Sequence, residues 1–367
     1  MNPRRRLLNL VMKDDFTGVH TLHHIDLHSP KNNLFYPTAA AASQHSPSDF
    51  PKLKEMERIR LGRPRMRFQP ALEGSGNSLL RRQVACVALS ETRTVFLDYQ
   101  SSGAFLYDDD GRCTVTLPNL HRGKCGPICL SINGTSIDER GFRIHDNVFV
   151  MESLSVPIDA ASSESDDAGY ISTRIDSYGV VDGVVYVSTK GIGTYCFDMV
   201  ICTWSKAGDW ALPFSGKVEH VPELGLLVGF GVTSWGAHYL HASPGPWTTT
   251  VSSAAVDSRC PCEAVEDIEP EQDYYYWRKM WWPQLVSLGS GKFCVVQFWK
   301  TMKETCFNCD HEEVHKRFAV FTGVEVVRCG KDGDDDTNGE EPIRVIKHKS
   351  KVYMLDKDEN IVIKYVL

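Results

Sequence analysis

Two cysteines and two histidines share one short segment, Cys306-Phe307-Asn308-Cys309-Asp310-His311-Glu312-Glu313-Val314-His315. A Cys-x-x-Cys pair with two imidazoles could give zinc a tetrahedral S₂N₂ shell. Zinc modules usually separate their ligand pairs by a dozen or more residues, so that the metal staples two elements together. Here the pairs are crowded, which suits a hairpin loop with free thiols and solvated histidines. Cys260-Pro261-Cys262 is a second thiol pair that could meet Cys306 and Cys309 across two loops. Zinc on Cys306, Cys309, His311 and His315 is therefore the one cofactor to test; no other is expected.

Residues 332–343 imitate a calcium loop, with Asp332, Asp334, Asp336 and Asn338 at its first four odd positions. The imitation fails where the geometry is strictest. Thr337 stands where the sharp turn needs glycine, and Ile343 where a bidentate glutamate is needed. The segment reads as a solvated acidic loop.

A third candidate is the run Tyr274-Tyr275-Tyr276-Trp277-Arg278-Lys279-Met280-Trp281-Trp282. Tyr, Trp and Arg are enriched at the centres of protein interfaces. Alternation along a strand would turn half of them into a core. The partner-binding candidates are Tyr274, Tyr275, Tyr276, Trp277, Arg278, Trp281 and Trp282. Nucleophilic and nucleotide chemistry find no motif. Gly289-Ser290-Gly291 is a hairpin turn and no Gly-x-Ser-x-Gly elbow. Gly191-Ile192-Gly193 lacks the third glycine and the helix of a dinucleotide site. No catalytic residue is assigned.

The elements that must carry these groups are strands. Asp182-Gly183 leads into Val184 to Thr189; a Gly-rich break follows, then Thr194 to Phe197, Trp204, and a close on Gly208-Asp209-Trp210. Turns that permit positive φ between β-branched and aromatic runs are hairpin signals. The rhythm recurs at Val84–Leu89, Thr94–Tyr99, Ala104–Tyr107 and Cys113–Leu117, and again at Leu285–Leu288, Phe293–Trp299, Phe318–Thr322 and Val324–Arg328. One such four-stranded sheet cannot bury its faces, whereas a radial stack of them can. A chain of 367 residues holds about six such units at ~45 residues each.

The expected fold is all-β: a β-propeller of about six four-stranded blades, its body in residues 81–367. Residues 29–80 carry six prolines and a Gly-Ser-Gly, and read as an irregular linker with a helical turn near Lys52 to Arg60. The last unit is short of strands. The apolar runs in residues 1–28 are expected to complete it and close the ring, sparing it an open edge.

Composition fits a globular chain, with 42% hydrophobic and 24% charged residues. A net charge of −7 argues against bulk binding to nucleic acid or anionic membrane. The first residues lack the apolar core of a secretory signal, and no apolar run is long enough to span a bilayer. Twelve cysteines then read as reduced thiols of the cytoplasm or nucleus. A monomer is expected.

Several phrases carry a family resemblance. They include Arg5-Arg6-Leu7-Leu8-Asn9-Leu10-Val11-Met12, Gly18-Val19-His20-Thr21-Leu22-His23-His24-Ile25-Asp26 and Leu34-Phe35-Tyr36-Pro37. Others are Ser188-Thr189-Lys190-Gly191-Ile192-Gly193-Thr194-Tyr195, Gly208-Asp209-Trp210-Ala211-Leu212-Pro213-Phe214, Leu288 to Cys294, and Phe321 to Glu325. The chain resembles a plant family of uncharacterised proteins, expanded in grasses, which is known as a domain of unknown function. That family is similar to kelch and F-box-associated propellers. The resemblance implies a kelch-like fold and a plant origin, and it supplies no catalytic residues. Residues 1–80 show no helical F-box pattern, so membership of a ubiquitin ligase is a fold-level analogy. The expected function is a non-enzymatic scaffold that presents loops to a protein partner. The alternative is a propeller hydrolase or oxidoreductase with a site at the channel mouth, metal-dependent if zinc binds.

Overall fold

The computed structural model describes residues 5–45, 56–70, 83–98, 102–124, 126–132, 136–137, 143–144, 147–153, 174–232, 238–243, 275–280, 282–304, 312–328, 343–355 and 360–367. They are all-β, with one helix among them.

In chain order the strands begin with β1 (Leu7–Asp14) and β2 (His20–Asp26), followed by helix α1 (Ala39–His45) and β3 (Met66–Phe68). Next come β4 (Val84–Ala88), β5 (Arg93–Asp98), β6 (Ala104–Asp108) and β7 (Cys113–Leu117). These are followed by β8 (Pro127–Ile132), β9 (Ser136–Ile137), β10 (Arg143–Ile144) and β11 (Asn147–Glu152). Then come β12 (Ser177–Val181), β13 (Val184–Thr189), β14 (Gly193–Asp198), β15 (Thr203–Gly208), β16 (Ser215–Val221), β17 (Leu226–Val232) and β18 (His238–Ser243). The last are β19 (Tyr275–Lys279), β20 (Gln284–Gly289), β21 (Lys292–Glu304), β22 (Glu312–Arg328), β23 (Ile343–Leu355) and β24 (Ile361–Val366).

The chain divides into two compact units. The first is residues 1–68, 221–226 and 232–366. It contains sheet A, in the order β24-β1-β2-β3, and sheet B, in the order β19-β21-β22-β23 with β20 also on β21. Sheet A joins the two ends of the chain, for β1 lies between β2 and β24 and is antiparallel to both. Apolar residues at every second position of β1 (Leu8, Leu10 and Met12) pack with Ile363 and Val366 against Val296, Phe298 and Phe321 of sheet B. Asn9, Val11 and Lys13 occupy the alternate positions and are buried as well.

The opposite face of sheet B buries Trp299, Phe318, Val320 and Val352 under Met56. The helical turn expected near Lys52 to Arg60 lies in part outside the described residues; its described part, from Met56, is not helical and makes a parallel bridge from Arg58 to Val352. The reason is Lys351, which is buried and reaches out to the Lys31 carbonyl at 2.8 Å and the Glu57 carboxylate at 2.5 Å. That pair, and backbone bonds from Ile59 to Val352 and from Val352 to Glu57, hold the segment along the edge of β23. The described part of residues 29–68 thus contributes an edge cover, helix α1 and strand β3 to this unit.

The second unit is residues 69–220 and 227–231, with Leu367. Sheet C is β4-β5-β6-β7, sheet D is β8-β11, and within this unit sheet E runs β15-β14-β13-β12-β16-β17. Sheet D is apolar on both faces. Cys129, Val148 and Val150 pack on Ala85, Val87, Val95 and Leu97 of sheet C. Ile128, Leu130, Phe149 and Met151 pack on Val185, Val187 and Tyr195 of sheet E. The β12–β15 part of sheet E uses its second face too, burying Tyr186 against Phe214 and against Val218 of β16 and Leu227 of β17. The first strands of these sheets are neighbours: β8 lies beside both β4 and β12, and β12 pairs in parallel with β16. That pairing needs Gly179, where a Cβ would stand 2.7 Å from the Val218 carbonyl.

Candidate functional site

The aromatic–basic run becomes an edge strand. β21 is long enough to pair with β20 over Lys292–Val296 and with β19 over Trp299–Lys303. β22 follows β21 to Glu312, whereas β23 joins β22 only at Arg317. Past that point β19, β21 and β22 form a three-stranded extension of sheet B, with β19 at its margin. Tyr275, Tyr276, Trp277 and Arg278 lie opposite Lys303, Met302, Thr301 and Lys300 in register. Tyr274 and Trp281 lie outside the described residues. Trp282, just past the strand, is exposed.

Cys306, Cys309 and His311 also lie outside the described residues, as do Cys260, Cys262 and positions 332–342 of the calcium-like loop. His315 falls in β22 at a bulge, since Thr301 pairs with Lys316 and Met302 with Val314. Among the described residues no group of three or more His, Cys, Asp or Glu side chains could hold a metal. The extension therefore brings the aromatic strand and the His315 bulge onto one hairpin arm.

The phrases Ser188 to Tyr195 and Gly208 to Phe214 meet in sheet E for a structural reason. Thr194 and Ser188 are paired across β14 and β13, and both are buried. The Trp210 carbonyl can only accept, so the Thr194 hydroxyl donates to it at 2.7 Å. Thr194 then accepts from Ser188 at 3.0 Å, and Ser188 accepts from the Leu212 N–H at 2.9 Å. The loop 209–214 is thus held at both its polar groups. The Trp210 ring lies on Gly208, where any Cβ would collide with the indole. A buried hydroxyl relay of this kind satisfies backbone groups and offers no nucleophile.

A second buried cluster, which sequence did not single out, joins Phe35 and Tyr36 to sheet B. His348 Nδ1 accepts the Tyr36 N–H at 3.2 Å, and His348 Nε2 lies 3.0 Å from Glu325 Oε2. The first contact fixes a neutral ring with its proton on Nε2, assigned from this pattern. Lys292 approaches the other Glu325 oxygen at 3.7 Å and lies over the Phe35 ring. Gly323 makes room for the crossing chain, since a Cβ there would strike the Leu34 carbonyl. A His–Glu pair can act as a general base. Here the His348 side chain is 1% exposed and both its ring nitrogens are engaged, so the pair works as a clamp. Its signal was hidden because its partners lie more than 300 residues apart in the chain.

Thiol chemistry is suppressed at three cysteines, whereas Cys113 and Cys202 are exposed. Burial pushes the Cys129 thiol up to about 12 and raises Cys86 and Cys294 as well. Such thiols are inert packing groups. On sheet A, burial pushes His20 down to about 4, with help from the nearby Lys13 and Lys364 ammonium groups.

No helix among the described residues is long and apolar enough to cross a membrane. No curated protein matches the chain. One family model, described as protein of unknown function (DUF1668), matches residues 5–165 and 157–353.

Proposed function

The chain belongs to the family of proteins of unknown function DUF1668, and from that premise we propose that it is a non-enzymatic interaction scaffold. On this reading it is an intracellular, kelch-like propeller of plant origin that presents edge strands and loops to a protein partner. Support for the propeller comes from within each unit. Sheet D and the β12–β15 part of sheet E are packed on both faces, which is what a blade requires. The strands β4, β8, β12 and β16 succeed one another side by side, and β20 lies beside β24 in the same way. Counting blades from β4, β8, β12, β16, β20 and β24 gives six. The pairing of β24 with β1 supports closure of the last blade by the N-terminal strands.

One observation carries the binding role. The run richest in Tyr, Trp and Arg forms β19, a marginal strand, with one lateral row of backbone groups unpaired among the described residues. A marginal strand presents both side chains and backbone to a partner. Affinity purification from grass-tissue extract tests this. Wild type should retain a specific protein, and Trp277→Ala with Arg278→Ala should lose it. Equal retention by that variant, or no specific partner across conditions, would contradict the reading.

A further inference from the structure

The chain carries a net charge of −7, yet Arg58-Ile59-Arg60-Leu61-Gly62-Arg63-Pro64-Arg65-Met66-Arg67 holds five arginines in ten residues and no acid. All five arginines are exposed. The segment belongs to the first unit and crosses from the margin of sheet B to that of sheet A. At one end Arg58 bridges to Val352 of β23, and the Ile59 N–H donates to the Val352 carbonyl at 2.8 Å. At the other end the Arg65 N–H donates to the Leu22 carbonyl at 2.7 Å, and β3 pairs with β2 from Met66 to Phe68. Between them the buried Asn32 side chain accepts from the Arg60 N–H at 3.1 Å and donates to the Arg60 carbonyl at 3.3 Å. The Gly62 carbonyl accepts from His23 Nδ1 at 3.2 Å.

These anchors sort the side chains. Ile59 is buried in the core between sheets A and B, and Leu61 packs against that core. Arg58 and Arg60, at the alternate positions, are left outside. Pro64 confines Arg63 to an extended backbone. A Cβ added at Gly62 would meet nothing within 4 Å, so the surface at the middle of the segment is open. Two acids close to the segment in the fold are already engaged. Glu57 takes the buried Lys351, and Asp26 of β2 takes Arg6 through two bonds at 3.1 and 2.6 Å. The arginine row is thus held on a fixed backbone and turned to solvent.

We infer that this arginine segment docks an acidic, carboxylate-rich segment of a partner protein. The arginines alternate at 58 and 60 and again at 63, 65 and 67, the spacing at which an extended peptide presents acids from every second residue. Every cation in the row is Arg and none is Lys. A guanidinium fork grips a carboxylate through two parallel hydrogen bonds, which an ammonium group cannot do. Nucleic acid fits the row less well. Single strands are held by aromatic platforms set among the cations, whereas Ile, Leu, Gly, Pro and Met separate these arginines. Phe68, the next aromatic along the chain, is stacked on His20 at 5.2 Å. This inference rests on the scaffold reading and gives it a second surface, at the opposite margin of sheet B from β19.

The test is fluorescence anisotropy of a labelled decapeptide of alternating glutamate and serine, titrated with the full chain. The peptide should bind, and more weakly as salt is raised. Arg60→Gln with Arg63→Gln should weaken binding by about tenfold with the melting midpoint unchanged. Arg112→Gln with Lys190→Gln removes the same charge at exposed positions of the second unit and should leave binding as it is. The arginine site is overturned if the peptide does not bind, or if the two pairs of substitutions weaken it equally. It is also overturned if labelled oligothymidine, or vesicles of phosphatidylserine and phosphatidylcholine, bind the same arginines more tightly than the peptide does. A native partner captured through β19, with no binding of the glutamate peptide, overturns the arginine site and leaves the scaffold reading standing. Peptide binding that depends on Arg60 and Arg63, with no native partner captured from any extract, overturns the scaffold reading alone.

Discussion

Thr194 Oγ1 and Ser188 Oγ lie 3.0 Å apart as the middle link of a chain that runs from the Leu212 N–H to the Trp210 carbonyl. Each link satisfies a group that sheet E has removed from water. Ser188→Ala leaves the Leu212 N–H without its acceptor, and Thr194→Val leaves the Trp210 carbonyl without its donor. Each change should cost about 1–3 kcal/mol in urea unfolding. The double variant should lose less than the sum, because both changes break one network. Additive losses, or single losses within error of zero, would remove the relay.

His20 makes a pH prediction. Its ring stacks on Phe68, and Nδ1 lies 3.0 Å from the Gly18 carbonyl, so the neutral ring donates there. With its folded value near 4 against 6.5, the unfolded chain binds the proton more readily between those limits. Stability from this group is therefore present above pH 6.5 and lost as pH falls toward 4, by up to about 3 kcal/mol. His23 and His241 are lowered by burial too and act in the same direction. Midpoints measured from pH 7 to 4 should fall less steeply for His20→Gln than for wild type. Identical slopes would assign the acid lability elsewhere.

The strap at Phe35 and Tyr36 predicts a local effect. Gly323→Ala places a methyl group against the Leu34 carbonyl, which also accepts the Lys349 N–H at 3.0 Å. The crossing chain must lift, at a cost of about 1–3 kcal/mol. Limited proteolysis should cut near residues 34–36 faster in the variant than in wild type. An unchanged cutting rate would mean that the strap is held by other contacts.

His315 lies within β22 rather than in a loop, and purified full-length protein should carry less than one zinc per chain by elemental analysis. A stoichiometric metal that survives dialysis would make the Cys306–His315 segment a zinc site.

Local signals located most strands. Val184–Thr189 and Cys113–Leu117 match the bounds read from β-branched runs and turn glycines. Gly323 misled, because a glycine inside a β run reads as a break. In the fold it sits at a register shift within one continuous strand, Glu312–Arg328, and admits Leu34. His348 and Lys351 gave no signal, since their roles depend on contacts with residues hundreds of positions away.

The ring proposal depends most on β1, which joins the two ends of the chain in sheet A. Calorimetry of a chain lacking residues 1–28 measures this directly. A closed arrangement of mutually dependent sheets predicts loss of the whole cooperative transition. A truncated chain that melts at the wild-type midpoint with the wild-type enthalpy would contradict it.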